Sequence, residues 1–204
     1  MITKDVVIVG TGFSGMGVAT KLLESGRTDF VVLEKASDVG GTWRDNTYPG
    51  CECDLPSHMY SFSWALTPDW SRNFSQQPEI WAYLRKVADE TGIRPYINFG
   101  VEVIGASWDD ERSRWTINTT SGETYEARVL LAGVGGLHIP NLPEIAGAES
   151  FAGPRFHSAA WDHSVDLTGK KVAVIGTGAS AIQFIPIIAE QVRHMTVFQR
   201  TPPW

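Results

Sequence analysis

Apolar and polar positions follow several distinct periods along the chain, and the change-overs mark its elements. Asp5-Val6-Val7-Ile8-Val9 is a continuous apolar run of the kind left by a parallel strand covered on both faces. Ser14 to Ser25 then takes up helical spacing and stops at Gly26, and Phe30-Val31-Val32-Leu33-Glu34 returns to a buried-strand run. That order predicts a βαβ unit. From Pro78 the apolar residues Ile80, Leu84 and Val87 share one helical face, with proline in the first turn and Gly92 as the stop. Three shorter runs, Val101 to Trp108, Arg114 to Thr119 and Glu123 to Val129, are separated by Asp109-Asp110-Glu111 and Ser121-Gly122 and predict an antiparallel insert. Val129-Leu130-Leu131-Ala132 is again buried-strand in pattern. A second βαβ begins at Lys171-Val172-Ala173-Val174-Ile175, continues through a helix from about Ala179 to Gln191 and enters a strand at Met195-Thr196-Val197-Phe198-Gln199.

Two stretches have no period. Gly40 to Gln77 is rich in Gly, Pro, Trp, Tyr and Ser, and a loop of that length in a compact domain is usually functional. His138-Ile139-Pro140-Asn141-Leu142-Pro143 reads as a linker. The predicted fold class is α/β. A Rossmann-like domain spans 1–138 and carries the small antiparallel insert, a linker spans 139–167, and a second Rossmann-like domain begins over 168–204. One βαβ is too little for an independent doubly wound sheet, so the sequence reads as the N-terminal part of a longer protein or as a truncated gene.

Composition narrows the function classes. Seventeen Lys and Arg against 23 Asp and Glu give a net charge of −6, which leaves no basic surface for a phosphodiester backbone or an anionic membrane. The first apolar run is too short for a signal-peptide core, and no stretch approaches the roughly 20 apolar residues of a membrane span, so the expectation is a cytoplasmic protein. The two cysteines, Cys51 and Cys53, are spaced C-x-C. This is too close for a routine disulfide and has no second Cys/His pair for zinc, so plain thiols and no metal are expected. The absence of C-x-x-C removes the redox dithiol of a flavoprotein disulfide reductase.

The candidate chemistry lies in two glycine-rich turns, Gly10-Thr11-Gly12-Phe13-Ser14-Gly15 and Gly176-Thr177-Gly178-Ala179-Ser180-Ala181, each between a predicted strand and a predicted helix. In the first, Gly10 permits the tight turn, Gly12 lets the backbone approach a pyrophosphate, and Gly15 lets helix and strand pack. Glu34 ends the following strand, about 20 residues on, where a carboxylate accepts hydrogen bonds from a ribose diol. In the second, the matching position is Gln199, followed by Arg200 and Thr201. A carboxylate there would repel a 2′-phosphate, whereas an amide beside a guanidinium and a hydroxyl welcomes one, so NADPH is predicted over NADH. The bland reading of Arg200 is a solvated charge at a strand end.

Between the loops, Phe151 to Asp162 reads F-x-G-x-x-x-H-x-x-x-W-D. Together with Gly40-Gly41-Thr42-Trp43, Tyr48-Pro49-Gly50 followed by Asp54, and Gln199-Arg200-Thr201-Pro202, this string resembles the Baeyer–Villiger monooxygenases, class B flavoprotein monooxygenases. The resemblance covers essentially the whole chain. One departure is Gly133-Val134-Gly135, where such proteins carry Ala-Thr-Gly and Val134 has no hydroxyl.

The resemblance implies FAD in the first domain and NADPH in the second. It further implies that O₂ would add to the reduced flavin at C4a and that the resulting peroxide would insert one oxygen next to a ketone or aldehyde carbonyl. It implies FAD contacts at Gly10, Gly12, Phe13, Ser14, Gly15, Glu34, Lys35, Gly41, Thr42, Trp43, Asp54, Tyr60 and Val103. NADPH contacts are implied at Gly176, Thr177, Gly178, Ala179, Ser180, Gln183, Arg200 and Thr201. Asp54 would orient a catalytic arginine that falls beyond Trp204, and His157 would act as a conformational element coupling nucleotide binding to domain movement. Read by themselves, Asp54 is also a plausible turn-capping carboxylate, His157 a structural histidine, and Tyr60-Ser61-Phe62-Ser63-Trp64 ordinary aromatic packing. Two rival functions stay open. One is a flavin monooxygenase acting on soft nitrogen or sulfur; the other is a non-catalytic flavin-binding module.

Overall fold

The computed structural model describes residues 1–202, and its chain divides into two units. The first comprises residues 1–44, 61–66 and 78–138, and the second 45–60, 67–77 and 139–202.

In the first unit the apolar runs become β1 (Ile2–Val9) and β2 (Phe30–Glu34), with α1 (Phe13–Glu24) between them. α3 (Gln77–Glu90) follows the short helix α2 (Thr42–Asp45). On α3, Ile80, Leu84 and Val87 are buried as their spacing predicts. Four further strands complete one sheet: β3 (Ile97–Phe99), β4 (Val103–Asp109), β5 (Arg114–Thr119) and β6 (Thr124–Ala132). The order is β3-β2-β1-β6-β5-β4. The strands β3, β2, β1 and β6 run parallel, while β5 pairs antiparallel with both β6 and β4.

The antiparallel insert is therefore continuous with the Rossmann-like sheet. The two runs expected around Val129 form one nine-residue strand, β6. Its first half pairs with β5, from Thr124 opposite Asn118 to Ala127 opposite Trp115. Along its length it also pairs with β1, from Ile2 beside Tyr125 to Val9 beside Ala132. Val7, Val31, Leu33, Ile117, Tyr125 and Ala127 form one buried cluster drawn from both halves of the sheet. Each such large side chain contributes about 1.5–3 kcal/mol by leaving water, so the two halves share a core.

The second unit contains β7 (Lys171–Ile175), α4 (Ala179–Ala189) and β8 (His194–Phe198), with β7 and β8 parallel. The aperiodic stretch is ordered by buried polar contacts. Ser57, 1% exposed, donates its hydroxyl toward the Arg72 carbonyl at 2.8 Å and lies 2.7 Å from the Ser75 hydroxyl. The Cys53 N–H donates to the Ser75 carbonyl at 2.9 Å, and the Ser57 N–H to that of Asn73 at 2.7 Å. Among the described residues no helix is long and apolar enough to cross a membrane.

Candidate nucleotide-binding loops

The two glycine loops have the same backbone geometry. Gly10 and Gly176 both take positive φ, +93° and +107°. Each donates its N–H to the strand that follows in sequence, Gly10 to the Leu33 carbonyl at 2.8 Å and Gly176 to the Phe198 carbonyl at 2.9 Å. Gly12 and Gly178 are the N-caps of α1 and α4, both extended, at φ −74°. Neither helix has a side-chain cap or an acid in its first turn, so no side chain offsets the positive end of either dipole.

The glycines of the first loop have different jobs. A Cβ on Gly15 would lie 1.9 Å from the Gly10 carbonyl oxygen, so that position is fixed by packing. A Cβ on Gly12 would meet nothing within 4 Å, leaving open space in front of the turn. Gly41, at φ +51°, brings a second stretch of backbone against it; a Cβ there would sit 3.2 Å from the Gly12 Cα. The Gly40 N–H also donates to the Thr11 carbonyl at 3.0 Å. Gly178 is likewise open in front.

Beside the first loop Glu34 is 3% exposed. Its Oε2 accepts from the Thr11 N–H at 2.9 Å and the Thr11 hydroxyl at 2.6 Å, and its Oε1 accepts from the Ala36 N–H at 2.9 Å. Arg44 Nη1 lies 3.1 Å from the same Oε1 and donates to the Asp38 carbonyl at 2.6 Å. With about four lone-pair sites on a carboxylate, a ribose hydroxyl binding at Glu34 must share with Thr11 or Arg44. The second loop repeats the pairing with the polarity reversed: the Gln199 Nε2 donates to the Thr177 hydroxyl at 3.1 Å. Thr11 and Arg44 escape the sequence reading. The G-T-G repeated in both loops is a signal for the threonine, whereas Arg44 stands in a stretch without period.

The other expected contacts fall in two sets. In the first unit Ser14 and Thr42 are exposed on the first turns of α1 and α2, and Lys35 is exposed after β2. The Phe13 ring turns inward against Phe62 at 4.9 Å. Trp43 is 7% exposed, and Val103 packs half-buried against the shared core. The second unit holds Asp54, exposed at a bend, and Tyr60, half-buried at the end of a short 3-10 turn. It also holds Ala179 and Ser180 at the start of α4, and Arg200 and Thr201, both exposed.

Gln183 is committed to the protein itself, to Tyr48 and Glu52. His157 accepts from the Ala159 N–H at Nδ1, 3.0 Å away, which places the neutral ring's proton on Nε2 and makes the residue a cap for the turn that follows. Trp161 is wedged between Phe156 at 5.1 Å and Phe184 of α4 at 5.2 Å. The Asp162 carboxyl is held below its usual range by the Ser164 hydroxyl and N–H. The fingerprint is thus an anchored turn, and no catalytic pair forms within it.

Cys51 and Cys53 are buried free thiols, and burial pushes both up. A cavity of about 650 Å³ in the first unit is lined by Ser37, Asp38, Arg44, Trp81, Arg85, Asp89 and Arg94, none of them a loop glycine. Arg85 and Arg94 each lie 3.0 Å from the Asp38 carboxylate, and Arg94 also pairs with Asp89, so the cavity wall is an internally matched ion network.

Comparison with known proteins identifies what the chain resembles. The chain is 54% identical to a Baeyer-Villiger monooxygenase of Streptomyces coelicolor over 98% of its own length and 38% of the relative's. It superimposes on a steroid monooxygenase bound to NADP with a TM-score of 0.88 and 42% identity, covering 99% of this chain and 40% of the other. A complex of OTEMO with FAD and NADP gives 0.91 at 37% identity, with 98% and 39% covered. The chain therefore spans about two fifths of the length of these relatives. The profile of the pyridine nucleotide-disulphide oxidoreductases matches residues 7–204, and the chain belongs to that family.

Proposed function

We propose that the whole protein is an NADPH- and FAD-dependent monooxygenase of Baeyer–Villiger type. In this reading residues 1–138 hold FAD, 139–167 link the domains, and 168–204 open the NADPH domain. The observation that carries it is the pair of loops with matching turn, cap and strand hydrogen bond whose partner side chains differ: a carboxylate, Glu34, at the first and an amide, Gln199, beside the exposed Arg200 at the second. The likeness to monooxygenases supports the reaction class.

The chain's own residues bind and orient. Gly12 and Gly41 admit a diphosphate to the N-terminus of α1, and Glu34, held by Thr11 and Arg44, receives a ribose. Gly178 offers the same approach at α4, with Arg200 and Thr201 available to a 2′-phosphate. Asp54 serves as the flavin-side carboxylate that the resemblance implies, and His157 holds the linker turn. When bound, NADPH supplies the hydride and FAD the centre that activates O₂. The balance is ketone, O₂, NADPH and a proton to ester or lactone, water and NADP⁺. The substrate is a small carbonyl compound. A cytoplasmic location and the absence of a nucleic-acid partner follow the charge and the short apolar runs.

The test is purification of the full protein, its flavin spectrum, and NADPH consumption with a ketone panel. A bound flavin and ester formation are expected. A colourless preparation, or oxygenated amines and sulfides with no ester, would overturn the reading.

A further inference from the structure

The family resemblance implies Gln183 as an NADPH contact, but its amide is used elsewhere. Its Oε1 accepts from the Tyr48 hydroxyl at 2.8 Å and from the Glu52 N–H at 3.3 Å, while its Nε2 donates to the Glu52 carbonyl at 2.9 Å. One side chain thus engages both backbone groups of one residue, as a neighbouring strand would. The contact is reinforced on either side. Tyr48 is 8% exposed, its hydroxyl also meets Ser180, and its ring lies edge-on to Phe184 at 6.3 Å. Gly50, at φ +75°, approaches α4 so closely that a Cβ would come within 2.3 Å of Ile187 Cδ1 and 2.9 Å of the Gln183 carbonyl oxygen. Ser180, Gln183, Phe184 and Ile187 therefore hold the 48–52 backbone from the helix that the second glycine loop caps.

We propose that Gln183 is a positioning residue: it ties the second glycine loop, through α4, to the backbone segment 48–54 that carries Asp54, and makes no nucleotide contact itself. A helix moves as a rigid rod, so a ligand that fixes the loop fixes α4, and the two-point amide clamp passes that restraint to Glu52. This rests on the reading of the second loop as a nucleotide site.

Hydrogen exchange of the full protein, with and without NADP⁺, tests both claims separately. In the wild type NADP⁺ protects peptides covering 176–182 and 48–54. Gln183→Glu keeps the shape and the acceptor but loses the donor to the Glu52 carbonyl. It is expected to keep NADP⁺ affinity within about threefold and protection at 176–182, and to lose about tenfold of the protection at 48–54. Unchanged protection at 48–54 overturns the coupling. A loss of affinity of about tenfold or more, with both segments deprotected together, makes Gln183 a nucleotide contact and also overturns it. If Gln183→Glu does not fold, Tyr48→Phe removes one strut of the clamp and is expected to cut protection at 48–54 alone; no change there overturns the proposal. Absence of protection at 176–182 in the wild type overturns the nucleotide reading, and the coupling with it.

Discussion

Two glycines three residues apart in the first loop separate folding from binding. Gly15 has no room for a Cβ, which would stand 1.9 Å from the Gly10 carbonyl oxygen. Gly15→Ala forces the helix off the strand and is expected to cost about 1–3 kcal/mol of stability, seen as a lower thermal midpoint with or without flavin. Gly12 is extended and open, so Gly12→Ala is expected to leave the apo midpoint unchanged while weakening FAD in a titration. Equal effects of the two substitutions on both readouts would show that Gly12 faces protein and no ligand.

Tyr48 gives a pH signature. Burial pushes its phenol up to about 12, so the folded protein retains this proton after the unfolded chain has released it. The stabilisation is full below about pH 10 and is lost as pH rises towards 12, amounting to about 2–3 kcal/mol. Tyr48→Phe is expected to flatten that part of the stability curve in alkaline denaturant titrations. An unchanged alkaline limb would mean that the phenol is not desolvated.

At the scale of elements, β6 does most to unify the first unit, because it pairs with β1 in one direction and β5 in the other. Ala127 sits on it fully buried, beside Lys4 of β1 and opposite Trp115 of β5. Ala127→Leu overfills the shared cluster and is expected to destabilise both halves of the sheet by about 1–3 kcal/mol in a single transition. Trp115 fluorescence and far-UV circular dichroism should move together; two separated midpoints would show independent halves. The apolar runs made β1, β2, β7 and the helices α1, α3 and α4 readable, since each depends on local period. The fusion at β6 was not, because pairing on two edges leaves no mark on a strand's own pattern. Nor were Arg44 and the Ser57 contacts readable, since they depend on polar partners brought together by the fold.

For the whole molecule the proposed function requires that two loops of one geometry select different ligands. Their backbones match at the turn, the cap and the strand hydrogen bond, so discrimination must come from the side chains that end β2 and follow β8. At the first loop the Thr11 hydroxyl donates to the Glu34 carboxylate; at the second the Thr177 hydroxyl accepts from the Gln199 amide. A carboxylate at the second site would repel a 2′-phosphate, and removal of Arg200 would take away its counter-charge. Arg200→Ala is expected to weaken NADPH by roughly 1.5–3 kcal/mol while leaving NADH nearly unchanged, as a lost charge-assisted bond requires. Adding Gln199→Glu should carry the preference across to NADH, through repulsion of the phosphate and a carboxylate offered to the ribose. Both effects are read as KM and kcat/KM for the two nucleotides in the full protein at equal flavin content. Parallel losses for NADPH and NADH would place the phosphate elsewhere and leave Arg200 as a solvated charge at the strand end.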